Sequence, residues 1–138
     1  MPIPHLAAKA LIVKNNQFLV ISGRLLVSKK IYHDLPGGKI EFGETPEAAL
    51  QREAREEINA EIEISRLLGY YQFLTEDQQY HVTCLTFLCM LRNETDELTT
   101  NNNPDLTEQI TSFKFVDKNE LLRIMGNPYF SKLIRGSL

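Results

Sequence analysis

The stretch GGKIEFGETPEAALQREAREEINA, residues 37–60, decides the fold that this sequence predicts. It opens with two glycines and continues into a helical pattern over residues 46–58. Thr45 is a good N-cap, Pro46 suits the first helical position, and Glu47 places a negative charge where the helix dipole favours one. The stretch therefore predicts a glycine-rich loop that leads directly into a well-capped helix.

The predicted helix has an apolar face and an acidic face when residues are spaced at about 100°. Leu50, Ala54 and Ile58 fall within an arc of about 80°, which predicts a stripe that packs on a core. A second arc of about 100° borders this stripe. It carries three carboxylates, which are those of Glu53, Glu56 and Glu57.

Two interpretations of the acidic arc stand side by side. Charge runs are usually solvated, and Arg52 and Arg55 would partly neutralise a solvated acidic face. However, these acids border the apolar stripe and follow a glycine-rich loop that brings backbone carbonyls close. Clustered carboxylates beside bare backbone are the ligands that hard divalent cations such as Mg²⁺ prefer. A metal site is therefore the second interpretation of the arc.

The spacing of the fixed residues resembles the Nudix box. Gly38 is followed after five residues by Glu44, and after seven more by REAREE at residues 52–57. The box reads Gly-x5-Glu-x7-Arg-Glu-U-x-Glu-Glu-x-Gly-U, where U is bulky and aliphatic. Its six fixed polar or glycine positions before the last glycine match, which chance gives in on the order of one window in twenty million. LPGG at 35–38 and GETPE at 43–47 resemble the MutT-like branch.

Three positions depart from the box. Ala54 and Ala60 replace bulky aliphatic residues, and Asn59 replaces the second glycine. Asn is the commonest substitute for Gly where a helix ends in a left-handed residue. We therefore expect the helix to end at Asn59 with its geometry preserved.

The resemblance implies the α/β (α+β) fold of the Nudix αβα sandwich, with a mixed sheet between helices, over one domain of residues 1–138. The residue pattern agrees with this fold. Asn15-Asn16 predicts a tight hairpin, because Asn tolerates positive φ. Residues 23–34 are predicted to be a partly structured connection. The predicted strands are 7–13, 17–22, 61–74, 79–91 and 110–117, and the predicted helices are 46–58 and one from 118 that is interrupted near 126–128.

The resemblance also implies a metal site. Glu53 and Glu57 are expected to be the principal ligands for Mg²⁺ or Mn²⁺, with Glu56 as a further ligand. A carbonyl near Gly37 or Gly38 is expected to add another. Such ions neutralise a diphosphate, orient it and lower the pKa of an attacking water.

Other acidic and basic residues are expected to support the reaction. Glu44 would be a water-bridged partner of the metal, and Arg52 would pair with the box carboxylates and orient them. A general base is also needed. Glu108, just before the last predicted strand, is our choice for this base. Glu94, Glu97 and a box glutamate are the other candidates. Each of the three downstream glutamates could instead be an exposed loop acid without a role in the reaction.

Substrate contacts are less well specified by the sequence. Arg24 lies upstream of the box and could meet phosphates. His33 precedes the LPGG segment and could contact substrate, and Tyr80 could supply a stacking surface for a base. A solvated arginine, a structural histidine and an aromatic on the sheet surface are the respective alternatives.

Composition limits the partners. A net charge of −3 argues against binding a nucleic-acid polymer, which needs a basic face. No apolar run approaches the ~20 residues that span a bilayer, and no secretory signal is visible at the N-terminus. Cys84 and Cys89 are an odd number of residues apart in one strand, so they lie on opposite faces and cannot pair. These features predict a cytoplasmic protein that binds neither a nucleic-acid polymer nor a membrane. The resemblance implies a small nucleotide as the substrate; a homodimer is left open.

The function implied by the resemblance is metal-dependent hydrolysis of a diphosphate linkage in a nucleotide, by attack of water at phosphorus. A nucleoside triphosphate or a related nucleotide is the default substrate. A non-catalytic Nudix-fold module that senses a nucleotide is the alternative; loss of box acids would mark it, and none is lost. No proline occurs between Pro46 and Pro104, so the proline typical of ADP-ribose hydrolases downstream of the box is missing.

Overall fold

Strands dominate the first two thirds of the chain and helices close it. The computed structural model describes residues 3–74, 80–101, 104 and 108–138. The elements are β1 (Pro4–Lys14), β2 (Gln17–Leu25), β3 (Ile31–Asp34), β4 (Gly37–Lys39), α1 (Pro46–Ile58), β5 (Ile62–Leu74), β6 (His81–Leu91), β7 (Glu108–Val116), α2 (Lys118–Met125) and α3 (Pro128–Ser137), with a 3₁₀ turn at Thr95–Glu97.

Strand β1 organises the sheet because it pairs with three other strands. It runs parallel to β6 from Pro4 opposite His81 onward, antiparallel to β4, and antiparallel to β2 at the hairpin. The order along the main path is β3-β2-β1-β6-β5, while β7 pairs with β2 and β4 with β1. The sheet is thus mixed, as predicted.

The hairpin between β1 and β2 turns at Asn15 and Asn16, which have φ values of 52° and 61°. Two successive positive φ values are those of a type I′ turn, whose twist matches that of the flanking strands. The predicted hairpin is therefore confirmed. It aligns Lys14 with Gln17 and so fixes the register of β1 against β2.

Helices cover both faces of the sheet, and each face has its own core. One core packs the α1 stripe of Leu50, Ala54 and Ile58 against alternate residues of β1 and β2. The other packs α2 and α3 against the opposite face of the same strands. Cys84 belongs to the second core and Cys89 to the first, and both thiols are free and buried. The αβα sandwich is confirmed, as is the assignment of the two cysteines to opposite faces.

The connection predicted over residues 23–34 is more ordered than expected. Strand β2 continues to Leu25, and Ile31–Asp34 forms β3, which pairs antiparallel with β2 from Ile21 to Arg24. The sequence there lacks a clear alternation, because β3 lies at the edge and carries exposed Ile31 and His33. Pairing along β2 therefore decides the structure where local pattern does not.

Helix α1 has the ends that the sequence predicts. The Thr45 side chain accepts a hydrogen bond from the Ala48 N–H at 3.1 Å, which satisfies an otherwise free donor of the first turn. At the other end Asn59 is left-handed, with φ 55° and ψ 36°. Its N–H reaches the Arg55 carbonyl at 3.0 Å, and its side-chain amide donates to the Glu97 carbonyl at 3.1 Å.

The left-handed conformation of Asn59 predicts a pattern of substitution effects. Asn59→Val should lose about 1–2 kcal/mol of unfolding free energy, because a β-branched residue is strained there. Asn59→Gly removes that backbone strain but loses the bond to Glu97, so it should stay within about 1 kcal/mol of wild type. Urea unfolding of the three proteins measures both effects. Equal midpoints for the Val and Gly variants would contradict the assignment.

Candidate active site

A cavity of about 470 Å³ lies where the box meets β1 and β3, and we call it the reaction cavity. Strand β4, the loop after it and the acidic face of α1 supply part of its wall, and β1, β2 and β3 supply the rest. Its lining residues are Lys9, Ile21, Tyr32, Asp34, Gly37, Gly38, Lys39, Glu41, Glu53 and Glu57.

Glu57 is held at this cavity by the glycine segment. Its side chain is only 3% exposed, and its Oε1 accepts a hydrogen bond from the Gly37 N–H at 2.6 Å. Gly37 has φ +141°, and a Cβ added there would lie 2.0 Å from the Ala8 carbonyl oxygen. The segment can therefore approach β1 only because residue 37 is glycine, and this approach brings its N–H to Glu57.

Gly38 makes room for Glu53. A Cβ added to Gly38 would lie 2.6 Å from the Glu53 Oε1, so the missing side chain leaves space for that carboxylate. Burial raises the pKa of Glu53 above its usual range, and neighbouring Arg52 partly opposes this shift. A carboxylate in such a place is stabilised by any cation that approaches it.

Arg52 connects the acids of the box. Its guanidinium donates to Glu44 from Nε at 2.8 Å, to Glu53 from Nη1 at 3.0 Å and to Glu56 from Nη1 at 3.2 Å. The bond from Arg52 holds the pKa of Glu44 below its usual range. One guanidinium therefore bridges the carboxylates of Glu44, Glu53 and Glu56 and offsets part of their mutual repulsion. Its planar arrangement of N–H donors allows it to bind several carboxylates at once.

A second cation, Lys9, lies inside the cavity wall. It is 6% exposed, and its Nζ donates to the Asp34 Oδ2 at 2.8 Å. Burial alone would lower the pKa of Lys9, but Asp34 and Glu57 outweigh it and raise that pKa above its usual value. Asp34 also accepts the Leu35 N–H on its Oδ1 at 2.7 Å, so it ties the start of the glycine segment to β1.

Comparison with known proteins identifies the family to which this geometry belongs. A family model described as the NUDIX domain matches residues 3–135. The chain belongs to the Nudix family. The resemblance of residues 37–60 to the Nudix box is thereby confirmed as family membership.

Two relatives of known name are a pyrophosphatase and a diphosphatase. The ADP-ribose pyrophosphatase of Methanocaldococcus jannaschii is 35% identical over 85 residues, which are 62% of this chain and 50% of that protein. The 8-oxo-dGTP diphosphatase of Proteus vulgaris is 34% identical over 84 residues, which are 61% of this chain and 73% of that protein. The match with the first of these relatives therefore spans half of its length.

Solved structures share the fold at low sequence identity. The MutT protein from Methanosarcina mazei Go1 has a TM-score of 0.77 at 18% identity, covering 97% of this chain and 92% of that one. An Ap4A hydrolase of C. elegans has a TM-score of 0.71 at 18% identity, covering 95% and 93%. At such identities the likeness concerns the Nudix fold alone.

The donor chemistry at the reaction cavity suits a divalent cation. Glu53 and Glu57 line one cavity together with Gly37 and Gly38, and carboxylate and backbone carbonyl oxygens are hard ligands. Within the part of the chain that the structure describes, no three acidic, His or Cys side chains form a ready-made coordination group. Arg52 holds Glu53 and Glu56 at present, so these side chains would have to reorient to share an ion.

The predicted substrate contacts are not brought together. Arg24 is exposed on β2, and it is not among the residues that line the reaction cavity. The His33 ring bonds to the Ser22 Oγ at 2.8 Å and lines a separate, smaller cavity. Tyr80 lies under the Lys39 ammonium, with 4.8 Å from Nζ to the ring centroid, and Lys39 does line the reaction cavity. Tyr80 thus borders the site through Lys39.

The candidate bases lie at different places. Glu108 opens β7 opposite Leu25, but its side chain lies outside the part of the structure that is described. Glu94 and Glu97 cap each other around the 3₁₀ turn, where the Glu94 N–H donates to the Glu97 Oε1 at 2.8 Å. Neither lines the reaction cavity.

Sequence reasoning missed Lys9 and Asp34. Lys9 interrupts an apolar strand between Ala8 and Ala10, which is an available signal, since a lysine in a core strand is rarely buried without a partner. The position of Asp34 directly before LPGG is a weaker signal. Their pairing across 25 residues depends on β3, which the sequence did not predict.

None of the helices that the structure describes is long and apolar enough to cross a membrane.

The close approach of Gly37 to β1 predicts a large loss of stability for Gly37→Ala. Strained backbone contributes ~1–3 kcal/mol and overpacking contributes ~1–3 kcal/mol. Gly136→Ala is the matched control, because a Cβ at Gly136 in α3 meets nothing within 4 Å. That control should be neutral or stabilising by up to about 1 kcal/mol. Denaturant unfolding compares the two variants, and equal stabilities would contradict the close packing of Gly37.

Proposed function

We propose that the protein is a metal-dependent Nudix pyrophosphohydrolase that uses water to split a diphosphate linkage in a nucleotide. The observation that carries this proposal is the reaction cavity itself. In it, Glu53 and Glu57 of α1 face the same space as the side-chain-free backbone of Gly37 and Gly38. Two relatives, named as an ADP-ribose pyrophosphatase and an 8-oxo-dGTP diphosphatase, support the same reaction.

The residues proposed to hold Mg²⁺ or Mn²⁺ are Glu53 and Glu57, with Glu56 and the backbone at Gly38 as further ligands. When bound, such an ion neutralises diphosphate charge and lowers the pKa of a coordinated water. Arg52 positions the carboxylates, since its guanidinium bonds to Glu53 and Glu56. Glu44 in turn fixes Arg52 by two bonds, at 2.8 and 3.0 Å.

The substrate proposed is a nucleoside triphosphate or a related nucleotide. The 8-oxo-dGTP diphosphatase among the relatives and the MutT-like flanks of the box support this choice. The ADP-ribose pyrophosphatase of Methanocaldococcus jannaschii makes ADP-ribose the main competitor. A panel of nucleoside triphosphates, 8-oxo-dGTP, ADP-ribose and Ap4A, assayed with Mg²⁺ and with Mn²⁺, separates these substrates. A chain that binds nucleotides without hydrolysing any of them would instead be a sensing module.

The compartment proposed is the cytoplasm. Nucleotide substrates are abundant there, and thiols stay reduced. Both cysteines fit such an environment because they are free and buried in separate cores, and burial raises the pKa of Cys84 to about 11 and that of Cys89 to about 12. Neither thiol is therefore ionised near neutral pH.

The metal assignment predicts that EDTA abolishes hydrolysis and that Mg²⁺ or Mn²⁺ restores it. Glu57→Gln should lower kcat by orders of magnitude, because a neutral amide is a poor ligand for a divalent cation. The substituted amide keeps an oxygen that can accept the Gly37 N–H, so the fold should persist. Glu47→Gln, an exposed position on the same helix, is the control and should have wild-type kcat. Near-normal turnover by Glu57→Gln would refute the assignment.

Glu108 is proposed as the general base. A carboxylate that binds a cation has a lowered pKa and accepts protons poorly, whereas an unligated one is free to do so. Glu108→Gln should therefore lower kcat by about 10²–10⁴-fold with little change in metal affinity. Glu94→Gln, at the capped 3₁₀ turn, should change kcat by less than about tenfold. If Glu108→Gln is active and Glu56→Gln is inactive with metal still bound, the base lies in the box.

A further inference from the structure

A cavity of about 500 Å³ lies between strand β5 and helix α3, and we call it the outer groove. Its volume falls within the ~300–1,000 Å³ that small-molecule sites usually occupy. The residues described as lining it differ from all those that line the reaction cavity. A ligand in the outer groove would therefore leave the reaction cavity open. The lining residues are Gly69, Tyr70, Gln72, Tyr129, Lys132, Leu133, Gly136 and Ser137.

Glycines on both elements leave the space between strand and helix open. Gly69 has φ +146°, and a Cβ added there would lie 2.8 Å from the Leu133 Cδ1. Helix α3 can therefore pack on β5 at this point because residue 69 has no side chain. A Cβ added to Gly136, one turn after Leu133, meets nothing within 4 Å. The last turn of α3 thus borders open space that a side chain at residue 136 would occupy.

Two tyrosines give the outer groove an aromatic character. Tyr70 is 63% exposed and Tyr129 is 54% exposed, and both line the groove. Single exposed aromatic residues are ordinary, but two that line one cavity form a patch of the kind that binds ligands. Tyrosine rings offer flat apolar faces, and nucleobases stack on such faces whatever their sequence. The groove therefore suits a planar heterocycle.

The charge in the outer groove is positive. Among the lining residues that the structure describes, Lys132 is charged and no carboxylate accompanies it. The whole chain has more acidic than basic residues, 18 against 15, so a cavity with a cation and no acid differs from its average surface. A lysine ammonium binds phosphate as a compact point charge. One ammonium matches one phosphate group better than a polyphosphate chain.

The shape of β5 argues against a strand of another chain as the occupant. Strand β5 ends the path β3-β2-β1-β6-β5, and such edges can pair with a second copy or a peptide. However, its pairing with β6 shifts register between Ile64 and Arg66 and again between Leu67 and Gly69. Bulges of this kind twist an edge strand and oppose the addition of another strand. The second shift lies at the groove itself, so a small molecule is the better match.

We propose that the outer groove binds a 5′-nucleoside monophosphate at a site separate from the reaction cavity. The base lies against Tyr70 and Tyr129, and Lys132 binds the phosphate. This inference does not depend on the proposed hydrolysis, because the proposed metal ligands do not line the groove.

The first test measures binding without metal. Isothermal titration in EDTA gives the Kd of each of the four common 5′-ribonucleoside monophosphates, of the matching nucleosides and of inorganic phosphate. At least one monophosphate should bind with a Kd below about 1 mM. Its nucleoside and inorganic phosphate should each bind at least about tenfold more weakly, because each lacks the stacking contact or the charge. A Kd above about 1 mM for all four monophosphates, or equal binding of either half, would overturn the proposal.

Two groove variants and a matched control locate the ligand. Lys132→Gln should weaken the monophosphate by about threefold to tenfold, the scale of an exposed charge interaction. Arg135→Gln removes an exposed cation of the same helix that does not line the groove, so its Kd should equal that of the wild type. Gly136→Leu should weaken binding by more than about tenfold, because ligand and leucine cannot share one space. Leucine favours helix more than glycine does, so the melting temperature of this variant should not fall.

The remaining outcomes each contradict the proposal. Equal losses in Lys132→Gln and Arg135→Gln would show a general attraction between anion and helix. Weaker binding in Glu57→Gln with normal binding in Gly136→Leu would place the nucleotide in the reaction cavity. Sedimentation velocity supplies the last control, since a wild-type dimer that dissociates in Gly136→Leu would show that the groove is an interface between two copies. Failure of the proposed hydrolysis is a separate result, because it is measured with the substrate panel and metal.

Discussion

The hydrogen bond from the Gly37 N–H to Glu57, 2.6 Å long, is the constraint on which the site depends. It joins the glycine segment, which is packed on β1, to the buried acidic side chain of α1. The bond forms only if residue 37 has no side chain, because a Cβ would overlap the Ala8 carbonyl. It also needs α1 to begin at Pro46, so that Glu57 projects towards the sheet three turns later. This hydrogen bond, together with the packing of Gly37 on β1, thus links strand, loop and helix.

The distribution of charge follows from that constraint. Packing α1 against the sheet brings Glu53 and Glu57 out of water, and burial raises the pKa of Glu53. Separate cations lie beside these acids, with Arg52 on the outer side and Lys9 within the cavity wall. Neither cation neutralises the acids by a simple one-to-one pair, because Arg52 also serves Glu44 and Lys9 is bonded to Asp34. The site keeps negative charge in a poorly solvated place, and this is a state that a cation stabilises.

The sequence predicted what depends on local pattern. Asn15 and Asn16 turn the hairpin because Asn adopts positive φ, Thr45 caps α1 through its hydroxyl, and Asn59 ends the helix in the left-handed conformation. The spacing of the box also placed its acids on one side of α1, since helical geometry is regular. Strand β3 was not predicted, because its sequence shows no alternation of apolar and polar residues and its pairing with β2 joins segments that are apart in the chain. The Lys9–Asp34 pair was missed for the same reason, since β3 carries one of its members.

The ion pairs of Arg52 and of Lys9 differ in how easily they can rearrange. The bonds of Arg52 to Glu53 and Glu56 are partly exposed and connect neighbours on one helix, so they can rearrange at small cost when a cation enters. The Lys9–Asp34 pair joins two strands, and a buried lysine cannot release its partner without leaving an uncompensated charge. Glu53 and Glu56 can therefore change partner, whereas Asp34 keeps one orientation. The strand side of the reaction cavity is therefore held in one arrangement by the Lys9–Asp34 pair, whereas the face of α1 can rearrange.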